Sequence, residues 1–257
     1  AAAPLLADRS RWISVPTVVP TSSRLPPTER RRAGTVVKAA LVVADEACGT
    51  AGIEAAQLAT VFTSSTGDPL NCHLLCEALA TPERVVSPTR FTNSVHNAPA
   101  GYWHIAAQSR RASTSLAAFD ASFGAGLLEA AVQCQASGEP VLLVACDVPY
   151  PEPLHAVRPL ADVFAVALVL APFLAADQAP DQAPVLRLLG AAGARASTRC
   201  DHAGLEALRA GIPAARSLPL LRALALAAAD TTLVIEDAPG RELQWQLSWQ
   251  PSRQPKT

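Results

Sequence analysis

The sequence predicts an α/β fold: a mixed, mainly parallel central sheet flanked by helices, with antiparallel strands near the C-terminal end. Three observations carry that expectation. Short, mostly apolar runs at Leu58 to Phe62, Val141 to Ala145 and Val163 to Leu170 have the length of strands covered on both faces. Helical patterns separate several of these runs, as in strand-helix-strand crossovers. By contrast, Leu243, Trp245, Leu247 and Trp249 alternate strictly with Gln244, Gln246 and Ser248, so this last strand buries one face and wets the other.

The chain has 257 residues, 50% hydrophobic and 17% charged, with a net charge of -1. A sizeable core is available, and one domain over residues 30–250 is expected between a proline-rich arm (1–29) and a short tail (251–257). So balanced a charge gives no basic field for nucleic acid and no acidic, disordered tail. The longest apolar run, Val163 to Leu170, follows Asp162 and stops before Pro172, well short of the roughly 20 residues that span a bilayer. Residues 1–10 lack the charged start and apolar centre of a secretory signal, so a cytoplasmic protein is expected.

Pro4, Pro16, Pro20, Pro26 and Pro27 deny the arm a long helix and leave Trp12, Ile13, Val15, Val18 and Val19 as an extended segment pinned to the body. Arg30, Arg31 and Arg32 precede a helical pattern (Val36, Val37, Ala40, Leu41, Val43) that stops at Gly49. This basic cluster reads as a solvated helix start or as a contact for an acidic partner or carrier. The strand at Leu58 runs into Thr63, Ser64, Ser65, Thr66 and Gly67. A hydroxyl-rich strand end suits a crevice, because ligands of α/β sheets lie beyond the carboxyl ends of the strands. Asp68 to Ala80 is a helix capped by Asp68, with Pro69 in its first turn; the loop before it lacks the spaced glycines and lysine of a phosphate cradle.

Ala98 to Gln108 is helical, entered through His96, Asn97 and Pro99. His96 fits a catalytic imidazole, a cap or a buried hydrogen-bonding group, and Tyr102 and Trp103 suit an interface or a pocket wall. Ser113 to Ala118 then reads as a strand, Phe119 to Gly124 as a turn and Ala125 to Ala136 as a helix. Such a turn aims its side chain at a helix N-terminus, where free N–H groups and the helix dipole stabilise negative charge. This is the architecture of a nucleophile turn.

Downstream, the Val141 strand ends at Cys146 and Asp147, and Pro149 to Pro153 form a stiff loop. The DQAPDQAP repeat at Asp177 to Pro184 is a surface loop, Leu205 to Ala210 and Ser217 to Ala229 are helices, and Thr232 to Ile235 is a strand. Cys48, Cys72, Cys76, Cys134, Cys146 and Cys200 are scattered, mostly among apolar residues. Cys72, His73 and Cys76 hint at a metal, yet no second ligand pair follows at zinc spacing, so helix packing is expected and no metal or cofactor.

Four segments together carry a resemblance: SVHNAPAG, the small-residue turn FDASFGAG, the helix LLEAAVQC and the strand VLLVACDVPYPEP. The chain resembles short β-ketoacyl synthase-like proteins, the chain-length-factor type of aryl polyene and xanthomonadin pigment clusters, over roughly residues 30–172. The resemblance implies a half of a thiolase-like fold. Full ketosynthases of this kind carry a nucleophilic Cys in the turn and two histidines in a second half. Aligning Gly124 with the Gly that follows that Cys by three residues puts Ala121 at the nucleophile position; a slip of one gives Asp120 or Ser122. A His-Gly-Thr-Gly-Thr-like motif is missing from the sequence too.

Condensation through a thioester needs a thiolate to carry the acyl chain and imidazoles to assist decarboxylation, and an alanine methyl supplies neither. What the resemblance implies is a partner: a complete ketosynthase whose acyl tunnel this chain helps to shape, with an acyl carrier protein as a further contact. It also implies that Ser113 to Leu116 lies at the subunit interface, with Asn97, Tyr102, Trp103, Thr114, Phe119, Phe123 and Gly124 as pocket or interface residues.

Two other readings compete. Asp120 to Gly124 contains half of a serine hydrolase elbow around Ser122, with His155 or His202 and Asp147, Asp162 or Asp201 to complete a triad; the missing first glycine weighs against it. Alternatively, the chain is a non-catalytic homodimer of the same fold.

Overall fold

Four strands, β1 (Ala59–Thr63), β2 (Ser113–Leu116), β3 (Val141–Asp147) and β4 (Phe164–Leu170), form the central sheet of the computed structural model, in the order β2-β1-β3-β4. β1 runs parallel to both β2 and β3, while β4 closes the far edge antiparallel to β3. The structure describes residues 6–8, 13–173, 183–228 and 230–250. Trp12, Ala229 and most of the DQAPDQAP repeat lie outside them.

Every residue of β3 is buried, and its alternation divides two cores. Leu142, Val144 and Cys146 meet one face of helices. These are α2 (Thr35–Ala51), which follows the short α1 (Pro27–Arg32), and, beyond α3 (Pro69–Ala80) and α4 (Pro88–Asn93), α5 (Ala98–Ala107). On the opposite face Val141, Leu143 and Ala145 meet Phe123, Leu127, Ala130 and Cys134 of α6 (Ser122–Ser137). A wholly apolar strand is what this double cover requires, and each fully buried leucine contributes about 1.5–3 kcal/mol.

After α7 (Leu154–Val157) and β4, a second sheet forms from β5 (Pro184–Ala191), β6 (Thr231–Ala238) and β7 (Arg241–Trp249), all antiparallel, in the order β5-β7-β6. Its Leu233, Ile235, Leu243 and Trp245 pack on the other side of α6, so one helix separates two sheets. α8 (Ala203–Gly211) and α9 (Leu218–Ala225), joined by a 3₁₀ turn at Pro213–Ser217, close a third, smaller core around Leu160, Leu205, Ile212 and Leu218.

Several expectations change in detail. The arginine cluster ends α1 rather than starting the long helix, and that helix runs through Gly49 to a left-handed cap at Gly52 (φ 66°). Gly49 thus sits in a helical turn, where the sequence suggested a stop. Val163 to Leu170 yields an edge strand in which Val166 alone is buried, because no strand covers the outer side of β4 among the described residues. α4, α7 and β5 were not predicted; Ser87 caps α4 just as Asp68 caps α3, each accepting from the backbone N–H three residues on. Ser122, Phe123 and Gly124 belong to the first turn of α6 rather than to the loop before it. Cys72 and Cys76 are exposed on α3, so their role is not helix packing, and His73 instead meets Glu77 at 3.2 Å. No group of three metal-ligating side chains occurs among the described residues.

Among the described residues of the arm, 13–26 form neither helix nor strand, with Ile13, Val15 and Val18 exposed. Thr17 N–H donates to Asp162 at 2.7 Å, and Leu25 enters the core. No described helix is long and apolar enough to cross a membrane.

Candidate functional site

Because β2, β1 and β3 are parallel, their carboxyl ends open on one side, and the loops leaving them meet there. The hydroxyl-rich loop 64–67 leaves β1, the turn 117–121 leaves β2, and Asp147 ends β3. Asp147 is wholly buried and organises the first of these loops. Its Oδ1 accepts from Ser65 N–H (2.7 Å), Thr66 N–H (3.1 Å) and the Ser64 hydroxyl (3.1 Å), while Oδ2 accepts from Ala214 N–H (2.8 Å). Burial pushes this carboxyl above its usual range, and the converging donors oppose that shift. Sequence reasoning gave Asp147 only a hypothetical triad role. The signal lay in an acidic residue ending an apolar strand beside a run of hydroxyls.

The turn after β2 is strained at Phe119, whose φ of 52° is an outlier for a bulky side chain. Phe119 is 59% exposed, and Arg158 lies over its ring, 3.7 Å from the centroid. The same guanidinium donates to Asp120 (2.6 Å) and to the Ser65 hydroxyl (3.0 Å). Arg216 reaches the other Asp120 oxygen at 3.4 Å and also pairs with Glu236. Asp120 thus joins two arginines in front of α6.

The turn therefore points Phe119 outward and holds the neighbouring candidates inward. Ala121 is 1% exposed, with ordinary φ of -85°. The Ser122 hydroxyl is buried, donates to Phe119 carbonyl (2.6 Å) and accepts from Ala118 N–H (3.0 Å), so it pins the turn from inside. No histidine is hydrogen-bonded to Ser122 among the described residues. Three other triad candidates are engaged elsewhere: Asp162 with Thr17 and Val163 N–H, His202 as the cap of α8, Asp201 with Arg222. Five of the six thiols are not poised either. Burial raises Cys48 to about 11 and shifts Cys134, Cys146 and Cys200 upward, and partial desolvation shifts Cys72 the same way although its side chain reaches solvent.

A groove of about 480 Å³ between α5 and β2 brings together His96, Asn97, His104, Ser113 and Ser115. His96 is exposed rather than buried and donates from Nε2 to the Ser64 carbonyl at 3.0 Å, tying α5's entrance to the loop after β1. Asn97 stands at the start of α5 without a side-chain capping bond. Ser113 accepts from Thr60 (2.8 Å), and Thr114 accepts from Gln133 (2.8 Å). The aromatic pair expected at an interface lies instead in the core: Tyr102 is buried and donates to Asn93 (3.0 Å), and Trp103 is completely buried. Both face inward because α5 packs its aromatic side on α2. Phe123 and Gly124 also face inward, toward β6.

Comparison with curated protein sequences finds no match. The family described as "Beta-ketoacyl synthase, N-terminal domain" matches residues 7–221. Among solved structures, the ketosynthase ApeO in complex with its chain length factor ApeC, from Xenorhabdus doucetiae, is similar with a TM-score of 0.68 at 21% identity, over 95% of this chain and 90% of that chain. The ishigamide ketosynthase/chain length factor is similar with a TM-score of 0.59 at 15% identity, over 91% of this chain and 85% of that chain. At these identities the likeness is one of fold, and it is the thiolase-like fold that the sequence predicted.

Proposed function

The chain belongs to the β-ketoacyl synthase N-terminal-domain family, and we propose that it acts as a non-condensing subunit that pairs with a complete ketosynthase and helps to set acyl chain length. The observation that carries this reading is the turn before α6. Its strained, outward position holds Phe119, the hydroxyl of Ser122 just after it is spent on pinning the turn, and no cysteine lies between Ser113 and Gln133. A group able to carry an acyl thioester is absent from the place built to present one.

Pairing is supported by β2, which hydrogen-bonds to β1 on one side and to no strand on its other side among the described residues. An open edge invites a strand from another chain. In this reading the working unit is the domain over residues 30–250, in the cytoplasm, contacting a ketosynthase and an acyl carrier protein in the synthesis of an aryl polyene-type product. The structural relatives that are complexes of a ketosynthase with a chain length factor lend it further support. Co-expression with a complete ketosynthase from the same genome tests the reading. The two chains are expected to co-purify and to change the length of the product relative to the ketosynthase alone. Failure to co-purify, with unchanged products, refutes it; so does a Ser122-dependent adduct with a fluorophosphonate.

A further inference from the structure

We propose that a second groove, between α1, α3 and α4, binds a small organic phosphate. The groove encloses about 740 Å³ and shares no lining residue with the turn before α6, so the inference does not rest on the partner reading. That volume is in the range of small-molecule sites, about 300–1,000 Å³.

Its walls carry three exposed arginines, two of them on an anchored main chain. Arg31 and Arg32 come from the end of α1, and Arg90 comes from α4. Two buried asparagines set the main chain from which Arg32 and Arg90 project: Asn93 donates to the Arg32 carbonyl at 2.9 Å, and Asn71 donates to the Arg90 carbonyl at 2.8 Å. Arg32 spends its charge on Glu29. Arg31 and Arg90, by contrast, have no side-chain hydrogen bond or ion pair among the described residues; burial shifts the Asp68 carboxyl upward, and its bond from Asn71 N–H and the charge of Arg90 oppose that shift. Asp68 is the carboxylate of the groove and is already engaged: it caps α3, and one of its oxygens lies against Gly34 at the start of α2.

The class of ligand follows from this donor set. Two guanidiniums that no hydrogen bond or ion pair occupies match an anion carrying about 1.5–2 negative charges, which is a phosphate monoester rather than a carboxylate. Thr28, Thr35, Ser87 and Thr89 add hydroxyls around the same space, while Leu70, Leu74, Val148 and Val163 supply an apolar portion of its lining. A phosphate bearing a short apolar tail fits both parts.

Isothermal titration of the full chain with butyl phosphate, inorganic phosphate and pentanoate tests the proposal. Butyl phosphate is expected to bind with a 1:1 stoichiometry, and the other two to bind at least about tenfold more weakly. Arg31→Gln and Arg90→Gln are each expected to weaken butyl phosphate about tenfold, with melting temperatures unchanged because neither head group holds the fold together. Arg110→Gln, on an exposed residue away from the groove, should bind as the parent does. Absence of saturable butyl phosphate binding overturns the proposal. So does an affinity equal to that of inorganic phosphate or pentanoate, or a loss shared by Arg110→Gln, or none in Arg31→Gln and Arg90→Gln.

Discussion

Replacing Gly124 by alanine tests how closely α6 approaches the second sheet. A Cβ at this position would stand 1.9 Å from the Glu236 carbonyl oxygen, 2.7 Å from its carbon and 3.0 Å from Ile235 Cγ2. Even a close C–H···O contact keeps carbon and oxygen about 3.3 Å apart, so α6 and β6 must separate by more than 1 Å, roughly, at this point. Both partners are main chain inside regular elements, and neither has a rotamer with which to yield. Overpacking costs about 1–3 kcal/mol where side chains can adjust, and the upper end applies here. For a domain of this size that is a fall in melting temperature of roughly 6–12 °C. Urea denaturation followed by far-UV circular dichroism measures it. Gly49→Ala is the control of opposite sign: it lies within α2 with nothing near its missing Cβ, and should gain about 0.5–1 kcal/mol from helix propensity. A Gly124→Ala protein within about 0.5 kcal/mol of the parent would refute the close approach of helix and sheet.

The remaining predictions concern side chains. Asp147→Asn turns one of two fully used acceptors into a donor facing other donors, and should cost about 1–3 kcal/mol of unfolding free energy in denaturant titration; an unchanged midpoint contradicts the hydrogen-bond assignment. Glu206 is held at about 2 by Arg209 first, with Cys200 N–H and Arg199 adding to it. A carboxylate lowered in the folded state adds stability that is present above its ordinary 4.5 and is lost as pH falls through about 2. The gap in melting temperature between the parent and Glu206→Gln should therefore narrow between pH 5 and pH 2, and a constant gap argues against it. Finally, a thiol-disulfide reagent applied to the folded protein should label the exposed Cys72 and Cys76 first, leaving Cys48, Cys134 and Cys146 until unfolding; mass mapping reads the order.

Legibility followed how locally each feature is encoded. Asp68 with Pro69 announced α3 because cap and first turn are neighbours in sequence, and the alternation from Leu243 to Trp249 marked β7 because one face is buried. β5 escaped notice because its eight residues carry little burial and no alternation, being the outer strand of a small sheet. β4 looked fully covered because its residues are apolar throughout; its edge position depends on no strand pairing with its outer side among the described residues. At the candidate site, the strand-turn-helix and its lack of a thiol were readable from order and composition. The corner that points outward was not. Phe119 takes φ of 52° although bulky residues avoid that region, and the compensation comes from Arg158, 39 residues away in sequence and invisible to local rules. Tyr102 and Trp103 looked like contact residues because aromatics are common at interfaces, yet a helix between small residues can bury them equally well.

The contact of Gly124 with Glu236 also bears on which sequences this architecture admits. Where a helix touches a sheet through side chains, their sizes can drift together and the gap between layers drifts with them. Here backbone meets backbone, and no substitution can shorten it further. The distance between the two sheets is thereby a fixed dimension. Phe123, Leu127, Ile235, Leu243 and Trp245 must fill a space whose width they do not set, so exchanges among them are confined to those that conserve total volume. Variation in the rest of the fold has to be sought on surfaces that do not share that wall.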